Sequence, residues 1–594
     1  MTDPKASPAW AKLGLLLILA LDLWWRGHTI GPTVRERLGV APWPVVVGEA
    51  EPLDCDEAAY AYIGRGLARG SVMYRDLSEN KPPLGYWLYT LAVAVGGADE
   101  LTIRLMPIPY VLATIALVWW IGLRLRGPTA ACLAALLYAL LSTDPYLFGN
   151  GANMEHFLNL FAVASLAATV RAFEVPGRRR LFVAGAFVAA ASMVKQVAAL
   201  HGLVYALALI LVDRRARGDA HRGMARLRDL AALALGFAAP WLVAAVVLWL
   251  QGAGADAFED IVGYGSALAT AKVADPNAPP KLLRWIVGNS DPLGKLPWPF
   301  GRTNYLVWWG TGSWPAWLAA APALAWMVVG RGADRARRLV AAWTLSAWVQ
   351  VALPGLFWQH YYLLPTPGLA LALAVAMADS GAAIGPAIRA RELGRATLAA
   401  AAGLGLLAAE GETARIQVRD YLLVPPEQLT ARYKGGQQWI ALRALGREIG
   451  RRSASWDRPT LYVWGWQSPL LIYSGLDCPT RHFFADPLLE DYARGHHRDH
   501  PRVRPRVERI MRDLEGHPPA LVLAAHPPFP PLRRFLDRGY LRSALPGLGV
   551  TSPDGVGLWV ARDHFAAFES ATAPPRAAQK AGATTGTGRS ATAR

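Results

Sequence analysis

Long apolar blocks alternate with short polar segments from the start of the chain to about residue 410. Blocks near 9–26, 105–123, 129–148, 154–173, 181–195, 197–213, 229–250, 314–330, 338–358, 361–378 and 395–410 have the length an α-helix needs to cross a bilayer. They predict about 10–11 transmembrane helices, with 395–410 the weakest. The first block ends in Trp24-Trp25-Arg26 rather than a small-residue cleavage site, so it reads as a retained span. Leu84–Gly97 is also apolar, but at about 14 residues it suits an interfacial or re-entrant helix better than a span.

Beyond about residue 430 the pattern changes to short apolar runs between polar ones. Leu461–Trp466 and Leu521–Ala525 predict buried strands, Arg504–Glu515 and Pro531–Asp537 helices, and Gly557–Ala561 a closing strand. The fold class predicted is thus a polytopic α-helical membrane protein with a small C-terminal α/β domain. Its segments are an N-terminal span (1–26), a first loop with interfacial helices (27–104), a helical membrane domain (105–410) holding a large loop at 251–313, the α/β domain (411–570) and a tail (571–594). The tail is rich in Ala, Thr and Gly and is expected to be disordered.

Charge orients this arrangement. The chain of 594 residues carries a net +17, yet only 18% of it is charged against 53% hydrophobic. The arginines sit in clusters between apolar blocks, such as Arg178-Arg179-Arg180 and Arg214 to Arg228. If Leu84–Gly97 does not span, the loops at Arg124–Arg126, Arg171–Arg180, Arg214–Arg228, Arg331–Arg338 and Arg389–Arg395 all fall on the same side as the N-terminus. The positive-inside rule makes that side cytoplasmic. The protein is then expected in the inner (plasma) membrane, with loops 27–104 and 251–313 and the α/β domain outside. No nucleic-acid motif accompanies the basic balance, so nucleic acid is not an expected partner. Cys55, Cys132 and Cys478 match no metal or redox spacing and read as free thiols.

The first outer loop carries the candidate chemistry. It reads Asp54-Cys55-Asp56-Glu57-Ala58-Ala59-Tyr60, then Tyr74-Arg75-Asp76, then Glu79-Asn80-Lys81-Pro82-Pro83-Leu84-Gly85-Tyr86-Trp87. Three acids within four positions, before an expected helix, can be N-caps. One of them can instead be a carboxylate held ionised by the helix dipole and able to take a proton. Lys81 stands before two prolines that fix the backbone at the membrane surface. It can grip a lipid phosphate or simply snorkel. The residues alone leave both pairs of readings open.

In combination, this order of motifs resembles the C-type glycosyltransferase superfamily. It is similar to bacterial relatives of the dolichyl-phosphate-mannose–protein mannosyltransferases and to the aminoarabinose transferases of lipid A. The resemblance covers about residues 10–410 and extends loosely beyond. It implies an inverting transferase that moves a sugar from a polyprenyl-phosphate donor to an acceptor hydroxyl of protein, lipid or envelope polymer. The resemblance makes Asp56, followed by Glu57, the acid at the reaction centre, and Lys81 the residue on the lipid phosphate. In the second outer loop, Asn150-Gly151-Ala152-Asn153-Met154-Glu155-His156, it points to Glu155, with Asn153 as a substitute. In His360-Tyr361-Tyr362-Leu363-Leu364-Pro365 it points to Tyr362 as a phosphate ligand with His360 beside it. Tyr361 reads equally well as part of an aromatic belt. Arg104 can reach phosphate or snorkel. Lys195 and Gln196, between two spans, can line the lipid groove, although a helix-end snorkel is the simpler reading.

No cofactor is called for: no Gly-rich phosphate loop and no metal cluster stand out, and a divalent ion between Asp56 and Glu155 is left open. In loop 251–313, Trp285, Trp298, Trp308 and Trp309 with Lys281, Arg284, Lys295 and Arg302 suit sugar stacking or an interfacial helix. The second function class is a transporter or flippase of lipid-linked sugars. Such proteins place ionisable residues at the midplane, whereas Asp22 is the one mid-span acid here and reads as isolated.

Overall fold

A computed structural model describes residues 7–38, 50–211, 219–267, 314–330, 332–354, 358–434, 437–485, 487–493, 495, 500–544 and 556–571. Most of loop 251–313, with its Trp, Lys and Arg residues named above, lies outside the described residues, as does the tail from 572.

Among the described residues, the membrane part is mostly helical. α1 (Ala9–Leu38) is followed in the first loop by α2 (Cys55–Ala68), α3 (Leu84–Gly96) and α4 (Glu100–Leu105). Then come α5 (Ile108–Arg126), α6 (Pro128–Ser142), α7 (Met154–Glu174), α8 (Arg178–Val194), α9 (Leu200–Leu211) and α10 (Asp219–Leu250). α11 (Gly254–Phe258) runs into a single π turn at Glu259–Tyr264. After it come α12 (Trp314–Val329), α13 (Arg335–Ala352), α14 (Thr366–Arg389) and α15 (Leu393–Leu423).

Among the described residues, Glu100–Arg126, Met154–Glu174, Gly223–Leu250 and Thr366–Arg389 are long and apolar enough to cross a membrane. Pro128–Ser142, Gln196–Leu211, Ala316–Val329 and Leu393–Ala408 are shorter apolar helices. α3 has 13 residues, about 20 Å of helix, and so falls short of a bilayer's apolar core. One side buries Tyr86, Tyr89 and Val93 while Leu91 and Val95 stay exposed, the pattern of a helix lying along a surface.

Helices pack closely where small residues allow it. α8 and α10 cross at Gly185 and Gly236, and a Cβ on either would overlap a facing backbone carbonyl, Leu233 O or Phe182 O. Such contacts suit helices in lipid, where no hydrophobic force drives apolar faces together.

The mid-span acid is not isolated. Asp22 accepts from Arg26 Nε at 3.0 Å, one turn on, and both side chains are buried. Arg26 also donates to Gly149 O at 2.8 Å and to Ser142 O and Oγ at 3.3 and 3.2 Å. The pair therefore props the second loop, whose far end opens α7.

The C-terminal part begins with α16 (Pro426–Tyr433) and α17 (Gln438–Ser453). β1 (Leu461–Trp464), α18 (Pro469–Tyr473), α19 (Pro487–Ala493), α20 (Arg504–Gly516), β2 (Leu521–Ala524), α21 (Pro530–Gly539), β3 (Tyr540–Arg542), β4 (Gly557–Ala561) and α22 (Arg562–Ser570) complete it. The sheet order is β1-β2-β4-β3, with β1 parallel to β2 and the other pairs antiparallel. The three expected strands and two expected helices are present. β3 was not expected, and two of its three side chains are exposed.

This domain is locked onto the first loop. Arg65 of α2 donates to Leu471 O and Leu476 O at 3.0 and 2.7 Å and to Asp477 at 2.9 Å. Arg481 grips Asp256 and Asp260 at 2.5 and 2.6 Å, and Ser78 Oγ donates to Asp260 at 2.8 Å. Cys55, Cys132 and Cys478 are free thiols in this arrangement.

The Asp22–Arg26 prop predicts an asymmetric cost. Arg26→Leu leaves a buried carboxylate and two carbonyls short of a donor, a loss of about 3–5 kcal/mol. The double variant Asp22→Leu/Arg26→Leu should recover part of that loss. Thermal melting in detergent checks this; equal melting temperatures for single and double variants would contradict it.

Candidate functional site

The site starts from the N-terminus of α2. Asp54 caps the helix: its carboxylate accepts from Glu57 N at 2.9 Å, and Glu57 Oε2 accepts from Asp54 N at 3.1 Å, a reciprocal capping box. Glu57 is fully buried and paired with the equally buried Arg104, and its Oε1 also accepts from Ala152 N at 2.7 Å. Arg104 donates further to Pro52 O at 2.8 Å. Burial alone would raise the Glu57 carboxyl, but Arg104 and then Lys434 hold it below its ordinary value. On the other side of the cap, Lys434 lies 3.2 Å from Glu51 and 3.8 Å from Asp54. Burial, and then the Glu57 charge, push the Asp54 carboxyl up to about 7 despite that lysine.

Two of the three acids are thus consumed in holding α2. Asp56 is the one left facing open space. Its side chain is 24% exposed, and its Oδ2 lies 3.7 Å from His360 Nε2. Tyr60, one turn on along the same helix, presents its ring 5.2 Å from the Lys81 ammonium. Lys81 Nζ is 3.4 Å from Glu79 Oε1, and its carbonyl accepts from Tyr74 OH at 2.8 Å. Burial pulls the Lys81 ammonium down, but Glu79 and Asp56 outweigh it and leave Lys81 above its ordinary value.

The ends of the membrane helices close the site. Glu155, in the first turn of α7, is buried and bonded to Lys195, which follows the last residue of α8. The Lys195 ammonium stands 3.6 Å from the centre of the Tyr361 ring. His360 stacks on Phe148 at 5.9 Å and meets Tyr361 edge-on at 4.8 Å. Gln196 Nε2 donates to Asn80 O at 2.9 Å, tying the lysine loops together.

Asp56 and His360 are in contact, Lys81 lies over the ring of Tyr60 on the same helix as Asp56, and Glu155 reaches the group through Lys195 and Tyr361. Three expected residues do not join them at the open face. Glu57 and Arg104 are spent on each other, because a guanidinium with a carboxylate and a carbonyl already bound has no reason to reach outward. Tyr362 is buried 6.3 Å from Trp317 and 5.8 Å from Trp348, in an aromatic cluster, so its neighbour Tyr361 is the tyrosine at the site. Lys195 and Glu79 belong to the site, and Lys434 and Glu51 to its support. Of these, only Lys195 had a local signal, a charge closing an apolar helix. Glu155, one of the two acids between which a divalent ion was left open, is bonded to Lys195.

Residues 80–243, from Asn80 to Val243, match the family model described as dolichyl-phosphate-mannose-protein mannosyltransferase. The match takes in Lys81, Arg104, Glu155 and Lys195. The resemblance to C-type glycosyltransferases seen in the first loop is upheld by this longer stretch. Among solved structures, ArnT from Cupriavidus metallidurans in the apo state is similar over 93% of this chain and 98% of its own, at 16% identity and TM-score 0.50. The same protein bound to undecaprenyl phosphate gives 94% and 98%, 17% and 0.49. AglB of Archaeoglobus fulgidus, in complex with an inhibitory peptide and a dolichol-phosphate, gives 86% and 69%, 12% and 0.43. The apo ArnT likeness is one of fold, across nearly the whole of both chains. The protein is a multi-pass membrane protein of this architecture.

The cap carries a pH dependence. The ordinary Asp value is 3.8 and the folded value about 7. Below that window Asp54 is protonated in both states. Within it the unfolded chain releases the proton and the folded chain keeps it, so this carboxyl subtracts stability as pH rises. Asp54→Asn can still accept from Glu57 N without the charge. Its melting temperature relative to the unmutated protein should therefore climb across that window. A constant difference would show that the lysine, not burial, rules Asp54.

Proposed function

We propose that the protein is an inverting glycosyltransferase that moves a sugar from a polyprenyl-phosphate donor to an acceptor hydroxyl. The observation that carries this reading is the convergence of Asp56 with Lys81 at one open face. The match to a dolichyl-phosphate-mannose family over residues 80–243 supports the lipid-phosphate donor.

Asp56 takes the proton of the acceptor hydroxyl, and the oxygen attacks the anomeric carbon. The carbon–oxygen bond to phosphate breaks, and the polyprenyl phosphate leaves as an anion. Such a leaving group needs cations rather than an acid, and Lys81 supplies one. Glycoside hydrolysis differs, because there an alkoxide leaves and a second carboxyl must protonate it. A single displacement inverts the anomeric centre. His360, 3.7 Å from Asp56, orients the acceptor, while Glu155 holds Lys195 and Glu57 and Arg104 hold α2. The sugar class and the acceptor stay open in this reading.

The reaction side is the extracytoplasmic one. The arginines of Arg124–Arg126, Arg171–Arg180 and Arg335–Arg338 sit at the helix ends opposite the first loop, which supports a cytoplasmic N-terminus in a plasma membrane. The acids of the candidate site cluster in the outer loops rather than at the midplane, and Asp22 within the first span is paired with Arg26.

Purified protein should transfer sugar from a panel of polyprenyl-phosphate donors. Asp56→Asn should lower turnover by roughly 100-fold or more. Lys81→Ala should lower it by a comparable factor, on the order of 100-fold. Transfer by either variant at the unmutated rate would overturn the mechanism.

A further inference from the structure

The site holds two lysines, and each is already held by a carboxylate. Lys81 stands 3.4 Å from Glu79, a loose pair whose lysine side chain is 18% exposed. Lys195 is bonded to Glu155, is 8% exposed and lies over the Tyr361 ring. Gln196, next to Lys195, donates to Asn80 O, next to Lys81, at 2.9 Å, and the Tyr361 ring under Lys195 touches His360, which lies 3.7 Å from Asp56. The two lysines therefore approach one pocket, one loosely engaged and open, the other clasped and withdrawn.

We propose that Lys195 neutralises the second charge that appears on the leaving phosphate, and that Glu155 holds it back until that charge develops. This rests on the reading of the protein as a polyprenyl-phosphate-dependent transferase. In the donor the phosphorus bears two ester links and one negative charge. The acceptor oxygen bonds to the anomeric carbon, its proton passes to Asp56, and the electron pair of the broken bond stays on the phosphate. The product is a monoester whose second ionisation lies near 6, so at neutral pH it carries close to two charges. One lysine suffices for the donor and two for the product.

A cation bound equally to both would tighten binding without speeding the reaction. Glu155 gives the differential. Against a single charge already met by Lys81, the buried Glu155–Lys195 bond is the better pair. Against two charges, phosphate competes for the ammonium. An ammonium on four methylenes can pivot from one partner to another without moving α8. Lys195 is thus a catalytic residue of the phosphate side, drawn onto the reacting group during transfer.

Two probes separate the charge states without knowledge of the sugar: a polyprenyl monophosphate and its methyl ester, a diester of one charge. At about pH 8, above the phosphate's second ionisation, Lys195→Gln should bind the monophosphate roughly tenfold more weakly, the size of one charge-assisted hydrogen bond. It should bind the methyl ester as the unmutated protein does. At about pH 5, below that ionisation, the monophosphate difference should vanish. Glu155→Gln, which frees Lys195 from the start, should bind both probes more tightly and narrow the gap between them. This second variant decides the matter if Lys195→Gln fails to fold. Equal weakening of both probes by Lys195→Gln would make Lys195 a ground-state ligand and overturn the proposal. So would unchanged affinity for both, or no tightening in Glu155→Gln. Failure of the unmutated protein to bind either probe would instead bring down the functional reading.

Discussion

Everything at the site depends on how the first turn of α2 is anchored. Glu57 and Arg104 are both fully withdrawn from solvent and bonded to each other. Burying two charges costs more than a single contact returns unless the remaining lone pairs and protons are met. Most of them are met: Ala152 N and Asp54 N serve Glu57 and Pro52 O serves Arg104, while Arg104 Nε stays without a partner. The result is one fixed junction between α2, α4 and the second loop. Removing either charge would leave the other buried and alone, so the junction has two states, whole or broken. Lys434 and Glu51 extend it to the C-terminal domain, with Thr430 Oγ1 donating to Glu51 at 2.7 Å and Arg443 donating to Ala50 O at 2.6 Å.

That anchoring explains why three acids in four positions do different things. Adjacent helical residues point in different directions, so a cap at Asp54 and an inward Glu57 leave Asp56 on a third bearing. It is turned to His360, and one turn on, Tyr60 carries the Lys81 ammonium over its ring. Lys81 and Lys195 are each matched by a carboxylate, Glu79 and Glu155, before a phosphate enters, and Asp56 adds one negative charge. The prolines after Lys81 and the hydrogen bond from Gln196 to Asn80 fix the loop that carries it.

Much of the architecture was legible along the chain, because a bilayer imposes long apolar runs and a buried sheet imposes short ones. That Leu84–Gly96 is too short to span followed from its length. What escaped had no local signal. Lys434 and Thr430 meet Glu51 from almost four hundred residues away, and no spacing announces that. Strand β3 is three residues at a sheet edge with two side chains in solvent, too short for alternation to show. Tyr361 and Tyr362 are neighbours in one tight turn, and only packing decides which faces the site. The Asp22–Arg26 pair was different: the spacing of four was visible, and its meaning was missed because the acid was weighed without its helical partner.

An experimental structure with a polyprenyl phosphate bound tests the central claim most directly, since it locates the phosphate against named side chains. The account predicts the phosphate oxygens against the Lys81 ammonium, with the Asp56 carboxylate on the side where the sugar joins and the Glu57–Arg104 pair intact behind it. A phosphate bound elsewhere, with Lys81 and Asp56 opening onto different faces, would contradict it.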